Sequence, residues 1–370
     1  MSPIRVLQVI GSMNRGGAET MIMNLYRKID REKIQFDFVV HTDKPCAYDD
    51  EILFLGGRIW HCPRFAGSNV FSYRRWWNAF FTEHASDYPV VHGHIGSSAA
   101  VYLKAAKKSG LFTVAHSHSS GTDHSARSFL YRAFSYPTRH IADWFFACSI
   151  AAGVDRYGQA VVDSSRFRIL NNAIDTVAFR YDEDTRRQIR EELGVADSLV
   201  VGHVGRFDAV KNQPFAVRSF QALTEKHPDA RLLLVGNGAE KPEVEALVRT
   251  LDLSDRVIFT GVRADVALLL QAMDVFLFPS IYEGLPVTLV EAQCAGLPCV
   301  ISDTIPPDCI VTEGLVVQKS LNDGPISWAD QLLACAAIQR TDHSQEIIAH
   351  GFDVNDTARK LEEFYLEKCR

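Results

Sequence analysis

Short apolar runs alternate along this chain with longer stretches of mixed polarity. In the first half, Arg5 to Ile10 reads as a buried strand, Gly11 to Gly17 as a loop and Ala18 to Ile29 as a helix. Phe36 to His41, Val90 to His94, Phe112 to His116 and Trp144 to Cys148 are further strand-like runs with helical stretches between them. The second half repeats the plan, with strands at Leu199 to His203, Ala230 to Val235, Arg256 to Phe259, Val275 to Phe278 and Cys299 to Ile301. Strands separated by helices of about 10–15 residues predict parallel, doubly wound sheets. Asn171 to Asp175, followed by polar residues to Asp184, reads as a linker. The expected domains are therefore 1–172 and 185–352, joined by 173–184. Asp353 to Lys368 is expected to be helical, capped by Asn355 or Asp356.

Length agrees with two domains, because 370 residues exceed what one core usually organises. No apolar run reaches the ~18 residues a membrane span needs. The amino-terminal residues run straight into the first strand, and no signal peptide is expected. The eight cysteines are scattered without a Cys-x-x-Cys pair, which suits buried thiols in a reducing cytoplasm. Charge is divided unevenly. Residues 1–170 carry 20 Lys and Arg against 14 Asp and Glu, whereas 171–370 carry 19 against 31. A basic half suits an anionic surface or a phosphorylated acceptor, and a solvated charge fluctuation explains it equally well.

The densest chemistry lies in Pro279-Ser-Ile-Tyr-Glu283-Gly284-Leu285-Pro286-Val287-Thr-Leu-Val-Glu291-Ala. Two glutamates stand eight residues apart around a Gly-Leu-Pro turn, directly after an apolar strand. Pro286 suits the first turn of a helix and Gly296 its end. Glu283 then hangs in a loop at the strand's C-terminal edge, where open α/β sheets hold ligands. Glu291 lies about a turn and a half into the helix. The N–H groups between Gly284 and Thr288 suit a phosphate. One carboxylate can meet one set of sugar hydroxyls and the other a second set, with a diphosphate between.

This run resembles the Glu-x7-Glu signature of retaining, nucleotide-sugar-dependent glycosyltransferases of family 4. Glu291-Ala-x-x-Ala-Gly-x-Pro and the strand after it strengthen the likeness. The resemblance covers essentially the whole chain and is strongest from about 200 to 303. It implies the α/β fold called GT-B: two Rossmann-like, doubly wound parallel-sheet domains facing across a cleft, with the C-terminal helix (353–370) crossing back onto the first domain. Gly11-Ser-Met-Asn-Arg-Gly16-Gly17 resembles the family's glycine loop, which places Gly16 and Gly17 near the donor phosphate. Gly205-Arg206-Phe-Asp-Ala-Val-Lys211-Asn is similar to the segment whose Arg and Lys clamp the donor diphosphate. Gly236-Asn-Gly238 also fits, on a weaker pattern.

Thirteen histidines are present, five of them at 92, 94, 116, 118 and 124. A transition-metal site is one reading, but no carboxylate or Cys is placed to complete it. The resemblance implies instead that a histidine after the strand Phe112 to His116 meets the transferred sugar. His116 holds that place and His118 is its rival. Asp182-Glu183-Asp184 matches a metal-binding Asp-x-Asp formally, yet it lacks a preceding strand and reads as a helix start. No metal or other cofactor is expected. Phe71 to Phe81 mixes aromatics with Arg74 and Arg75; packing on the core explains it better than a membrane interface, and peripheral contact with the inner leaflet stays open.

The expected protein is a retaining, metal-independent hexosyltransferase of the cytoplasm, using a UDP-sugar. Arg206, Lys211 and the amides around Gly284, Leu285, Pro286 and Val287 hold the departing phosphate. Glu283 holds the sugar and Glu291 the ribose. His116 and the glycine loop belong to the other domain, so cleft closure would complete the site. Ala115-His-Ser-His118, Asn172-Ala-Ile-Asp175 and Gly351-Phe-Asp353 look most like the bacterial capsule and exopolysaccharide branch. The acceptor would be a glycan or a polyprenyl-diphosphate-linked sugar; no nucleic-acid partner is expected. A GT-B epimerase, a transferase to a soluble acceptor, and a non-catalytic nucleotide-sugar-binding subunit are the alternatives.

Overall fold

A computed structural model describes residues 2–118 and 133–369. His124 lies outside the described residues. The chain divides into two compact units. One runs to Ala173 and resumes at Val354; the other is Ile174–Asp353.

The first unit is built on seven parallel strands: β1 (Ile4–Ile10), β2 (Ile34–Val40), β3 (Ile59–His61), β4 (Val90–Gly93), β5 (Phe112–Ser117), β6 (Trp144–Ala147) and β7 (Phe167–Ile169), in the order 3-2-1-4-5-6-7. The order reverses between β1 and β4, which leaves a crevice beyond the C-terminal ends of those two strands. β1, β2, β4 and β6 are buried almost throughout; β6 reads as a continuous apolar run, and the others as apolar runs interrupted by the buried polar residues Gln8, Gln35, Asp37 and His92. The edge strands β3 and β7 escape sequence analysis because each has three residues and is partly exposed.

One face of this sheet is covered by the helices Gly17–Lys28 and Val354–Lys368, the latter burying Val354, Ala358, Leu361, Phe364 and Tyr365 at helical spacing. That helix starts at Val354, so the expected caps Asn355 and Asp356 fall inside its first turn. Asp356 there pairs with Arg359 and Lys360, at 2.5 and 2.6 Å. The opposite face packs on the Val70–His84 helix, which buries Tyr73, Trp77, Phe80 and Phe81 and leaves Phe71 exposed. Tyr73, Trp77, Phe80 and Phe81 are therefore core residues. Among the described residues, no helix is long and apolar enough to cross a membrane.

The second unit has six parallel strands: β8 (Val200–Val204), β9 (Arg231–Val235), β10 (Val257–Gly261), β11 (Val275–Phe278), β12 (Cys299–Ser302) and β13 (Val316–Lys319), ordered 10-9-8-11-12-13. Its reversal falls between β8 and β11. The segment expected as a polar linker is part of this unit. Ile174 and Thr176 are buried there, and the Thr176 hydroxyl donates to Asp353 Oδ2 at 2.6 Å. Asp182 caps the Glu183–Glu192 helix by accepting from Thr185 N at 2.8 Å. Arg186 and Arg190 of that helix pair with Asp274 at the foot of β11, at 2.5 and 3.0 Å.

Candidate active site

The loops leaving β8 and β11 meet at the switch point of the second unit. Ile281 N donates to Val210 O at 2.8 Å, and the Asn212 side chain donates to Pro279 O at 3.2 Å. These bonds bring Lys211 Nζ to 2.5 Å from Glu283 Oε1, with both side chains mostly buried. Lys211 Nζ also stands 4.8 Å from the centre of the Phe278 ring. Asn212 adopts the left-handed conformation (φ 55°, ψ 43°) immediately before the Gln213–Thr224 helix. Asparagine tolerates that region better than most residues, and here it turns the chain sharply enough to aim Lys211 back at Glu283.

Arg206 is mostly exposed and donates through Nε to Asp208 Oδ2 at 2.8 Å. Its neighbour Phe207 is buried in the core. The loop from Gly205 to Phe207 lies directly on the loop after β9. A Cβ at Gly236 would come within 2.0 Å of Gly205 O, and one at Gly238 within 2.2 Å of Phe207 O. Gly238, expected beside the donor, packs closely against the Arg206 loop.

After Glu283, the chain passes Gly284 and the buried Leu285 to Pro286, then enters the helix Val287–Cys294. Pro286 was expected inside the first turn; its ψ of 100° is extended, and it stands just before the helix instead. The first N–H groups of the helix are those of Val287 and Thr288, which have no intrahelical carbonyl to meet. Glu291 keeps some contact with solvent, but its surroundings push its carboxyl up to about 7, because burial penalises the charge. Gly296 follows the helix in the left-handed region (φ 60°), and a Cβ there would stand 1.9 Å from Thr341 O.

In the first unit, Gly16 precedes the Gly17–Lys28 helix in extended conformation and Gly17 opens it, with open space where a Cβ would be. Four imidazoles are layered at the ends of β4 and β5. Ring centres are 4.5 Å apart for His92 and His94, 5.3 Å for His92 and His116, and 4.1 Å for His116 and His118. His94 Nε2 lies 2.8 Å from Gln8 Oε1; an amide oxygen only accepts, so this nitrogen carries the proton. His94 Nδ1 then accepts from His118 Nε2 at 2.7 Å. His92 Nδ1 meets the Tyr365 hydroxyl at 2.6 Å.

Burial and the neighbouring imidazoles hold all four rings neutral. His92 is pushed down to about 3, His94 and His116 fall well below the usual histidine range, and burial takes His118 to about 4. His116 is buried with no partner on either ring nitrogen among the described residues. His118 is half-buried and bonded to His94. Ligand nitrogens of His92, His94 and His116 lie within 4.8 Å of one another. His92 stacks on both His94 and His116, however, and a metal needs lone pairs converging in the ring planes. Among the described residues, no carboxylate or thiol joins the group.

Asp208, His203 and Gln213 are not among the site residues expected from the sequence. His203 and Gln213 are fully buried beneath the Arg206–Lys211 loop. Buried polar residues within an apolar strand and at a helix start are the signal that marks them.

Residues 15–178 match the model described as Glycosyltransferase Family 4, and 185–330 the model described as Glycosyl transferases group 1. EpsF of Bacillus subtilis, named as a glycosyltransferase, is 38% identical over 98% of this chain and 96% of its own. The UDP-Gal:alpha-D-GlcNAc-diphosphoundecaprenol alpha-1,3-galactosyltransferase of Escherichia coli is 26% identical over 56% of this chain and 55% of its own. Among solved structures, HepE of Anabaena with UDP bound superposes with a TM-score of 0.78, at 19% identity over 98% of this chain and 100% of its own. Sucrose-phosphate synthase of Thermosynechococcus elongatus also gives 0.78, at 20% identity over 98% of each chain. These structural likenesses show the GT-B fold.

Proposed function

The chain belongs to the glycosyltransferases of family 4 and group 1, and on that premise we propose that it moves a sugar from a UDP-sugar to a lipid-linked or growing glycan, retaining anomeric configuration. The observation that carries this reading is the Lys211–Glu283 pair at the β8/β11 switch point, with Arg206 beside it. A cation held against a carboxylate at a strand-end crevice suits a ligand bearing both phosphate and hydroxyls. Lys211 and Arg206 face the diphosphate, whose charge grows as the glycosidic bond breaks. The amides of Val287 and Thr288 add the positive end of a helix. Glu283 accepts from sugar hydroxyls and Glu291 from the ribose. The leaving phosphate then takes the acceptor hydroxyl's proton on the face it departs from.

In the first unit, His116 offers an unpartnered imidazole beside a cavity of about 70 Å³ and is the group we assign to the sugar. The acceptor reading draws on the relatives. The E. coli enzyme's name specifies UDP-galactose and a diphosphoundecaprenol-linked sugar. Exopolysaccharide or capsule synthesis at the inner leaflet is the corresponding role here. Two cations replace a metal in this scheme.

The test is a binding panel of UDP-, GDP- and ADP-sugars, with and without EDTA, on the wild type and Arg206→Ala. Binding of UDP-sugars that ignores EDTA and weakens in the variant is expected. Binding of none, or binding that needs metal and ignores Arg206, refutes the assignment.

A further inference from the structure

Behind the Arg206–Lys211 loop lies a buried hydrogen-bond chain that joins β11 to that loop. His203 is fully buried at the end of β8, and its Nδ1 stands 2.9 Å from Leu277 O. A backbone carbonyl only accepts, so Nδ1 carries the proton and Nε2 presents a bare lone pair. That lone pair faces Gln213 Nε2 at 3.3 Å, and the same amide nitrogen donates to Arg206 O at 2.8 Å. Gln213 thus spends its two N–H bonds on His203 and on the backbone of Arg206. Flipping the amide would set its oxygen against two acceptors at once, so both the orientation of Gln213 and the tautomer of His203 are determined. Burial, outweighing the bond to Leu277, takes His203 down to about 4, and Lys211 pushes the same way. The chain therefore holds its protons across the neutral range. Its ring lies against Phe278, centres 5.9 Å apart, the ring over which Lys211 Nζ stands. A Cβ at Gly205 would come within 3.2 Å of His203 Nε2 and 3.4 Å of Lys211 Cδ, so nothing larger than glycine separates them comfortably.

We propose that His203 and Gln213 are positioning residues that set the spacing between the Arg206 backbone and β11, whose following loop bears Glu283, and so tune the grip on the distal phosphate of the donor. This rests on the reading of Arg206 and Lys211 as a diphosphate clamp. Neither residue touches the ligand. They fix where the two cations start, and a displacement of about 1 Å in such a group costs up to about 100-fold.

The test compares calorimetric binding of nucleoside diphosphates and their matching monophosphates (uridine, guanosine and adenosine) to wild type, Gln213→Met, His203→Phe, His203→Gln and Arg206→Ala. Gln213→Met and His203→Phe keep size and burial but break the chain. Each is expected to weaken the diphosphate about tenfold while monophosphate affinity stays within about twofold. His203→Gln can donate to Leu277 O and accept from Gln213, and should restore diphosphate binding to within about threefold. Equal losses for mono- and diphosphate, losses for neither, or failure of His203→Gln to rescue overturn the positioning role. Unfolding midpoints identify any variant that has lost its fold, and the rescue then decides. If Arg206→Ala keeps the full diphosphate preference, or wild type binds no diphosphate, the clamp itself is refuted and the inference with it. If Arg206→Ala loses that preference while the other variants do not, only the inference falls.

Discussion

Lowering the pH should unfold the first unit well before its carboxylates titrate. Its four layered histidines are neutral when folded, with His92 at about 3, His118 at about 4, and His94 and His116 far below the ordinary value. An unfolded chain protonates histidine at about 6.5. Between those values the unfolded state binds protons that the folded state refuses, so stability is full above pH 6.5 and drains away as pH falls. His92 and His118 each cost about 1 kcal/mol at pH 6 and about 2 kcal/mol at pH 5, together about 4 kcal/mol against a total domain stability of about 5–15 kcal/mol, and His94 and His116 push the same way. His41, held near 4 by burial, adds to the same side.

Urea titrations at pH values from 8 to 5, followed by tryptophan fluorescence, measure this directly. Four of the five tryptophans (60, 76, 77 and 144) lie in the first unit, so the signal reports mainly on it. The unfolding free energy should fall by at least about 2.5 kcal/mol per pH unit near pH 5.5, an uptake of about two protons or more. His92→Gln should lower that uptake by about one proton. A free energy constant to within about 1 kcal/mol between pH 7.5 and 5.5, or an NMR titration of any stacked histidine with a midpoint above 6, would refute the argument.

Glu291 titrates with the opposite sign. Its carboxyl is raised to about 7, so its part of the second unit's stability is present below pH 4.5 and is lost as pH rises through 7. If the ionised form binds ribose, nucleotide affinity should drop about tenfold between pH 8 and 6, and Glu291→Gln should abolish that slope; a slope that survives in the variant assigns it elsewhere. Gly296→Ala should destabilise the second unit by more than about 2 kcal/mol in thermal melts, since φ is 60° and the new methyl would meet Thr341 O. Lys211→Met strands the mostly buried Glu283 carboxylate and should cost about 2–3 kcal/mol. Adding Glu283→Gln should return most of that loss, and strictly additive losses would show that the pair is not coupled.

The central strands were legible because a parallel sheet covered on both faces demands unbroken apolar runs, as in Val275-Phe-Leu-Phe278. The edges β3, β7 and β13 were not, since three or four residues with exposed positions carry no such run. Ile174 and Thr176 looked like linker because a helix of four residues, Thr176–Phe179, has too little sequence to show a period. The same division runs through the site. Arg206, Lys211 and Glu283 stood out because charges beside glycines at strand ends are conspicuous locally, and the pairing of Lys211 with Glu283 joins positions 72 residues apart.

What stays illegible is the support. His203 looks like a stray polar residue in an apolar strand until Leu277 O and Gln213 close around it. Burying an imidazole costs least when its ring nitrogens are hydrogen-bonded, and His203, at 0% exposure, has a partner on each. Sequence alone does not say which partners. Leu277 reaches the ring because the parallel order 9-8-11 sets β11 beside β8, and Gln213 because the helix that follows β8 starts over that strand's end. The charged groups that would meet a ligand are thus written into local motifs, while the groups that aim them depend on the assembled sheet. If Arg206 and Lys211 clamp the donor as proposed, surveys of such motifs find them and miss their support, and substitutions at His203 and Gln213 are where function should change without any motif being touched.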